Sequence, residues 1–235
     1  MKKIVKKIII VIVIFVIVIG TIGFYYINKM INPEVVVSGN GEQKVLCIGD
    51  SITFGQGVLM KREKEAFSAI LSEKLGENYQ VLNYGLCNRT LLSTGDFPYV
   101  EEDFAKESLE QDADIVIIML GTNDSKPDNW NAEKYEEEYI EFVKSYQNMS
   151  SSPKVYVMLP PCIFSKPEST GDCNNEILVG EVLPAIERVA QATGAVIIDL
   201  YSVTEGHSDW YADGLHPNTE GNKAIAEEIY QTISK

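Results

Sequence analysis

The chain has 235 residues, 34 acidic and 20 basic, with two histidines and a formal net charge of −14. Its length suits one globular domain with an appendage rather than two full domains, and 45% hydrophobic with 23% charged residues excludes a disordered chain. Residues 1–30 hold five lysines and no acid, so the remaining 205 carry a charge of −19, which repels phosphate backbones and excludes nucleic acid as a partner; the two histidines fit no zinc motif, so no metal site is expected.

From Ile8 to Ile27 there are 20 residues without a charge, mostly Ile and Val. At 1.5 Å per residue a helix of that length spans ~30 Å, the thickness of a bilayer's hydrocarbon core. Tyr25 and Tyr26 stand at its far end, and Lys2, Lys3, Lys6 and Lys7 precede it. The positive-inside rule then leaves a cytoplasmic tail over 1–7, a transmembrane anchor over 8–27 and the bulk of the chain outside the cell membrane. A cleaved signal peptide, releasing a secreted protein, is the competing reading. It calls for a shorter apolar run and an A-x-A-like site, whereas the first alanine is Ala66 and Thr21-Ile22-Gly23 is the nearest substitute. Residues 28–43 read as a linker, with Pro33, Ser38, Gly39, Asn40 and Gly41; the run Val35-Val36-Val37 within it has no assigned role.

Beyond the linker, strand and helix patterns alternate over 44–235. Val45–Ile48, Gln80–Tyr84, Asp114–Leu120, Lys154–Leu159 and Ala195–Leu200 are short apolar runs bounded by Gly or Pro, the mark of buried strands. Lys64–Leu75, Ala132–Asn148, Ile177–Thr193 and Asn218–Ile233 carry apolar residues at helical spacing. Such alternation predicts an α/β protein with a parallel sheet covered on both faces. In such sheets ligands bind beyond the carboxyl ends of the strands, so Gly49-Asp50-Ser51, Gly85, Gly121-Thr122-Asn123-Asp124 and Pro160-Pro161 should meet at one edge.

Three of those segments, with one from the C-terminal end, carry plausible chemistry. Ser51 follows a strand and a glycine, where its hydroxyl projects past the sheet and its N–H joins the positive end of the next helix; an ordinary helix N-cap is the plainer use of the same serine. His216 lies in Asp213-Gly214-Leu215-His216-Pro217, with Pro217 placed to open a helix. Asp213 is within reach of the imidazole across the glycine turn, as a base oriented by an acid requires, although turn formation alone also explains the pattern. Gly85 and Asn123 follow strands and offer a backbone N–H and an amide NH₂ to the same edge, where turn roles are the alternative.

Taken together, Gly49-Asp50-Ser51-Ile52, Asn83-x-Gly85 with Thr90, Gly121-Thr122-Asn123-Asp124 and Asp213-x-x-His216 resemble, in order, the four sequence blocks of the SGNH/GDSL hydrolases. The resemblance covers 44–235 and implies a three-layer α/β/α flavodoxin-like fold. It also implies Ser51 as nucleophile, His216 as base and Asp213 as its orienting acid. Ser51 N–H, Gly85 N–H and Asn123 would form the oxyanion hole, with no metal and no cofactor. Ile52 stands where Leu is usual, and Asn88 where the second block has a second glycine; Asn tolerates the left-handed backbone such a turn needs. Among family members the chain looks most like carbohydrate O-acetylesterases. The expected substrate is therefore an acylated small molecule or glycan, with Asp50 and a sugar-stacking Trp130 as candidate binding residues. An O-acetyltransferase of surface polysaccharide using the same triad, and a lipase or thioesterase on longer chains, are the alternatives. Cys162 and Cys173 flank a Pro- and Ser-containing loop in which a disulfide could form.

Overall fold

The computed structural model describes residues 2–31, 33–164 and 171–234; Asn32 of the linker and the middle of the loop between Cys162 and Cys173 lie outside them. The chain divides into two units, the first ending at Glu34 and the second running from Val35 onward. The first is built on α1 (Lys2–Ile31), in which Lys6–Ile31 is long and apolar enough to cross a membrane and none of it is buried.

In the second unit, six strands form one sheet among the described residues: β1 (Val36–Gly39), β2 (Gln43–Gly49), β3 (Tyr79–Gly85), β4 (Ile115–Met119), β5 (Lys154–Leu159) and β6 (Val196–Asp199). The spatial order is β1-β3-β2-β4-β5-β6. β2 to β6 run parallel, while β1 pairs antiparallel with β3, Val36 opposite Asn83. Stripped of that edge strand, the order is the flavodoxin-like doubly wound one, whose topological switch point lies between its first and third strands, here β2 and β4.

The strand residues sort by parity onto two cores. Leu46, Ile48, Val116, Ile118, Val155 and Val157 point to one face, packed by α4 (Asp103–Leu109), α5 (Ala132–Gln147) and α6 (Leu183–Thr193). Val45, Cys47, Ile117, Met119, Tyr156 and Met158 point to the other, covered by α2 (Ser51–Phe54), α3 (Phe67–Leu75) and α7 (Thr219–Ile233). Continuous apolar runs are thus what a strand buried on both faces requires.

The sequence reading contained no helix at α4, and three further elements differ from it. The valine run inside the linker is β1, an edge strand added to β3. The helix expected from Lys64 is broken at Ala66 (φ −68°, ψ 147°), and α3 starts at Phe67, whose N–H is taken by Asn222 Oδ1 at 2.9 Å. The helix expected from Ile177 passes through a π turn at Leu178–Val182 before α6. Pro184 explains it, since proline has no N–H to continue the ladder.

Candidate active site

Chain geometry at the end of β2 fixes Ser51. Asp50 is the N-cap of α2, its Oδ1 accepting from Ile52 N at 2.9 Å, and Gly55 closes that single turn with φ +91°. A side chain at Gly49 would lie 2.3 Å from Thr53 Oγ1 and 2.5 Å from Met119 O, so only glycine lets the strand turn this tightly beside β4.

Ser51 Oγ lies 2.9 Å from His216 Nε2, and His216 Nδ1 lies 2.6 Å from Asp213 Oδ2. Asp213 Oδ1 accepts from both Leu215 N (2.9 Å) and His216 N (2.8 Å), which closes the Asp-Gly-Leu-His turn on itself. Partial burial raises the Asp213 pKa, but the hydrogen bonds from His216 and Leu215 and the imidazole's charge outweigh it and hold this carboxyl below its ordinary value. Pro217 bridges to Tyr211, and Asn218 caps α7 by accepting from Glu220 N and Gly221 N. With an ionised carboxylate on Nδ1–H, a neutral imidazole presents Nε2 as acceptor toward the serine hydroxyl.

Asn123 joins them from the turn after β4. Its Nδ2 donates to Arg89 O (3.1 Å) and weakly to Asp50 Oδ2 (3.4 Å), and the Cys173 thiol sits 3.8 Å from its Oδ1. These contacts fix which end of the amide is the donor. A pocket of about 220 Å³ contains Ser51, Asn88, Asn123, Lys126, Asp213 and His216 among its walls.

Gly85 is not brought to this pocket. Its N–H donates to Asn83 Oδ1 at 2.9 Å, and a Cβ there would stand 2.1 Å from Phe54 N. The glycine is needed because β3 passes against α2, and its amide is already used. Asn88, three residues on, lines the pocket instead, with φ +66° and no acceptor for its N–H among the described residues. The signal was present in the sequence as the Asn that replaces the second glycine of its block.

Asp50 and Trp130 also lie elsewhere than expected. Asp50 is fully buried behind Ser51, where it caps α2 and steadies Asn123. Burial, opposed by the Ile52 N–H and reinforced by the Asp124 charge, pushes its carboxyl up to about 7. Trp130 packs on Tyr135 with ring centroids 5.0 Å apart, and its Nε1–H donates to Glu181 Oε2, so it leads into α5 rather than walling the pocket. His207, the other histidine, stacks on Trp210 at 3.8 Å.

Cys162 and Cys173 are free thiols, not a disulfide. Cys162 Sγ faces Tyr201 O and Cys173 Sγ faces Asn123, so the two engage different partners. Burial pushes the Cys173 thiol up to about 12, which removes it as a nucleophile.

Two positions went unread in the sequence. Asp124 is fully buried and accepts from Leu91 N (3.0 Å) and Leu92 N (2.9 Å), holding the loop that presents Asn88. Lys126 reaches the pocket wall and pairs with Asp96 at 2.8 Å. Neither carries a local pattern; both depend on a loop some thirty residues away.

Residues 47–224 match the GDSL-like Lipase/Acylhydrolase family. The chain is 35% identical over 209 residues to an acetylxylan esterase of Xylanibacter ruminicola, covering 81% of this chain and 43% of that longer protein. Among solved structures it resembles Est24, a carbohydrate acetylesterase from Sinorhizobium meliloti, with a TM-score of 0.66 and 21% identity, covering 82% of this chain and 99% of that one. Axe2, an acetylxylan esterase from Geobacillus stearothermophilus, matches with a TM-score of 0.65 and 17% identity, covering 83% and 96%. These solved structures share the fold, and since the family match runs from inside β2 into α7, the protein belongs to the GDSL-like lipase/acylhydrolase family and is a serine hydrolase of carboxylic esters.

Proposed function

We propose that this chain removes acetyl or similarly short acyl groups from glycan hydroxyls through an acyl-enzyme on Ser51. The observation that carries the reading is the unbroken chain Ser51 Oγ–His216 Nε2 and His216 Nδ1–Asp213 Oδ2, at 2.9 and 2.6 Å, opening on a small polar pocket rather than a long apolar groove. Ser51 Oγ attacks the ester carbonyl while its proton passes to His216 Nε2. The oxyanion is received by the N–H groups of Ser51 and Asn88 and by Asn123 Nδ2, which gives up its long 3.4 Å contact to Asp50 Oδ2 for it. Collapse breaks the bond to the sugar oxygen, which takes the proton from His216, and leaves acetyl-Ser51. Water then attacks, gives its proton to His216, and acetate departs as the proton returns to Ser51.

Support for the acetyl group and for a glycan comes from the names of the relatives, an acetylxylan esterase and a carbohydrate acetylesterase. The chain spans less than half of the former, so the acetylated glycan is proposed as substrate on the site's own geometry as well. The apolar N-terminal helix supports anchoring in the cell membrane with the catalytic unit outside. Hydrolysis of p-nitrophenyl esters from acetate to palmitate tests the reading, with Ser51→Ala as control. Turnover concentrated at acetate and its neighbours and lost in Ser51→Ala is expected; a preference for palmitate would replace the reading with a lipase or thioesterase.

A further inference from the structure

Lys126 and Gly171 are shared between the pocket at Ser51 and a second cavity of about 440 Å³, whose other walls include Asp96, Asp128, Asn129 and Asp172. That volume lies in the range, roughly 300–1,000 Å³, of small-molecule sites. Its lining combines apolar surface with three carboxylates, an ammonium and amide side chains that hydrogen-bond to one another. Lys126 Nζ is 2.8 Å from Asp96 Oδ2, and its side chain is only 14% exposed. Asp96 Oδ1 accepts from Asn129 Nδ2 (3.0 Å), Asp96 N donates to Asn129 Oδ1 (3.1 Å), and Asn129 Nδ2 also donates to Asn123 O (3.0 Å). The lysine that divides the two cavities is therefore braced against the backbone of the residue proposed to hold the oxyanion.

Chemistry narrows the occupant. An ammonium has three N–H donors, and Asp96 takes one of them, which leaves donors for a ligand hydroxyl at the junction. Asp128 and Asp172, which also line the cavity, bring carboxylates able to accept from ligand hydroxyls. Three carboxylates against one ammonium make the cavity net negative, so a ligand bearing carboxylate, phosphate or sulfate meets repulsion where a neutral polyol does not. An apolar acyl chain would bury these groups without replacing their hydrogen bonds.

We propose that the 440 Å³ cavity is the sugar subsite of this esterase, selective for neutral polyhydroxylated rings, with Lys126 as the specificity-determining residue where it meets Ser51. The proposal rests on the reading of glycan ester hydrolysis. It places the acetyl carbonyl at Ser51, the esterified ring in the second cavity, and a hydroxyl of that ring on Lys126 Nζ.

The test uses the full chain in detergent micelles and compares kcat/KM on an acetylated neutral xylo-oligosaccharide with kcat/KM on p-nitrophenyl acetate. Lys126→Met should lower the ratio of the two about tenfold, through KM for the sugar ester, in line with loss of one charged hydrogen bond; Lys126→Arg should recover part of it. The wild type should discriminate against a uronate-bearing analogue, and Asp172→Asn should narrow that gap. Equal losses on both esters in Lys126→Met, an unchanged ratio, or a wild-type preference for the uronate would overturn the proposal. Should neither ester be hydrolysed, the esterase reading fails by itself. Saturation-transfer NMR with unacetylated xylotetraose then decides the subsite: binding that Lys126→Met weakens sustains it, and no binding removes it.

Discussion

Asn123 supplies one of the three donors proposed for the reaction's developing charge. Asn123 Nδ2 is oriented by Arg89 O and Asp50 Oδ2, and loss of one oxyanion donor costs about 10²–10³ in kcat. Asn123→Ala should show that loss with little change in KM on p-nitrophenyl acetate; an unchanged kcat would place the hole elsewhere. Asn88 contributes through its backbone, so Asn88→Gly should keep activity at φ +66° while a β-branched residue there should not. Steady-state kinetics of Asn88→Gly and Asn88→Val separate the two, and equal activity would show that the turn is not strained. These residues illustrate what a sequence withholds. That Ser51, Asp213, His216 and Asn123 gather at one pocket was legible because each stands at a strand end or in a short local turn. Gly85 was misplaced because only the approach of α2 shows that its amide is spent on Asn83.

Among elements, the loop from Leu86 to Pro98 is held at its centre by one buried carboxylate. Asp124 takes the Leu91 and Leu92 N–H groups, and leaving a buried donor unsatisfied costs about 1–3 kcal/mol. Asp124→Ala should therefore lower stability by about 2 kcal/mol or more and reduce kcat by displacing Asn88; a lower Tm with normal kcat would mean the loop holds its shape unaided. The two buried carboxyls also set a pH dependence. Burial raises Asp124 to about 6 and Asp50 to about 7, against ~3.9 in an unfolded chain. Between those values the folded state binds more protons than the unfolded one, so their contribution to stability falls as pH rises from about 4 to about 7. Asp50→Asn lacks this titration, so the Tm difference between wild type and variant should shrink over that window. Parallel Tm–pH profiles would contradict the assignment. β1 escaped the sequence reading for a related reason: four residues, Val36–Gly39, are too few to carry a periodicity, and only the free edge of β3 makes them a strand.

For the whole molecule, the apolar helix and the acidic catalytic unit are physically different objects. The intact chain should stay with membranes through high salt and alkaline carbonate and be released by detergent, since hydrophobic insertion is not screened by ions. A carbonate-soluble product shortened by some thirty residues, read by mass spectrometry, would instead indicate signal cleavage. What the sequence determined alone was everything that depends on spacing along the chain: the span of the apolar helix, the parity that buries the central strands on both faces, and the order of the chemical blocks. Tertiary structure decided which groups face one another across the switch point. It withdrew Asp50 behind the serine, turned Trp130 toward Glu181, parted Cys162 from Cys173, and set Asn88 and Lys126 at the pocket. Those outcomes follow from contacts between residues 30 to 73 positions apart, where no local pattern records the contact.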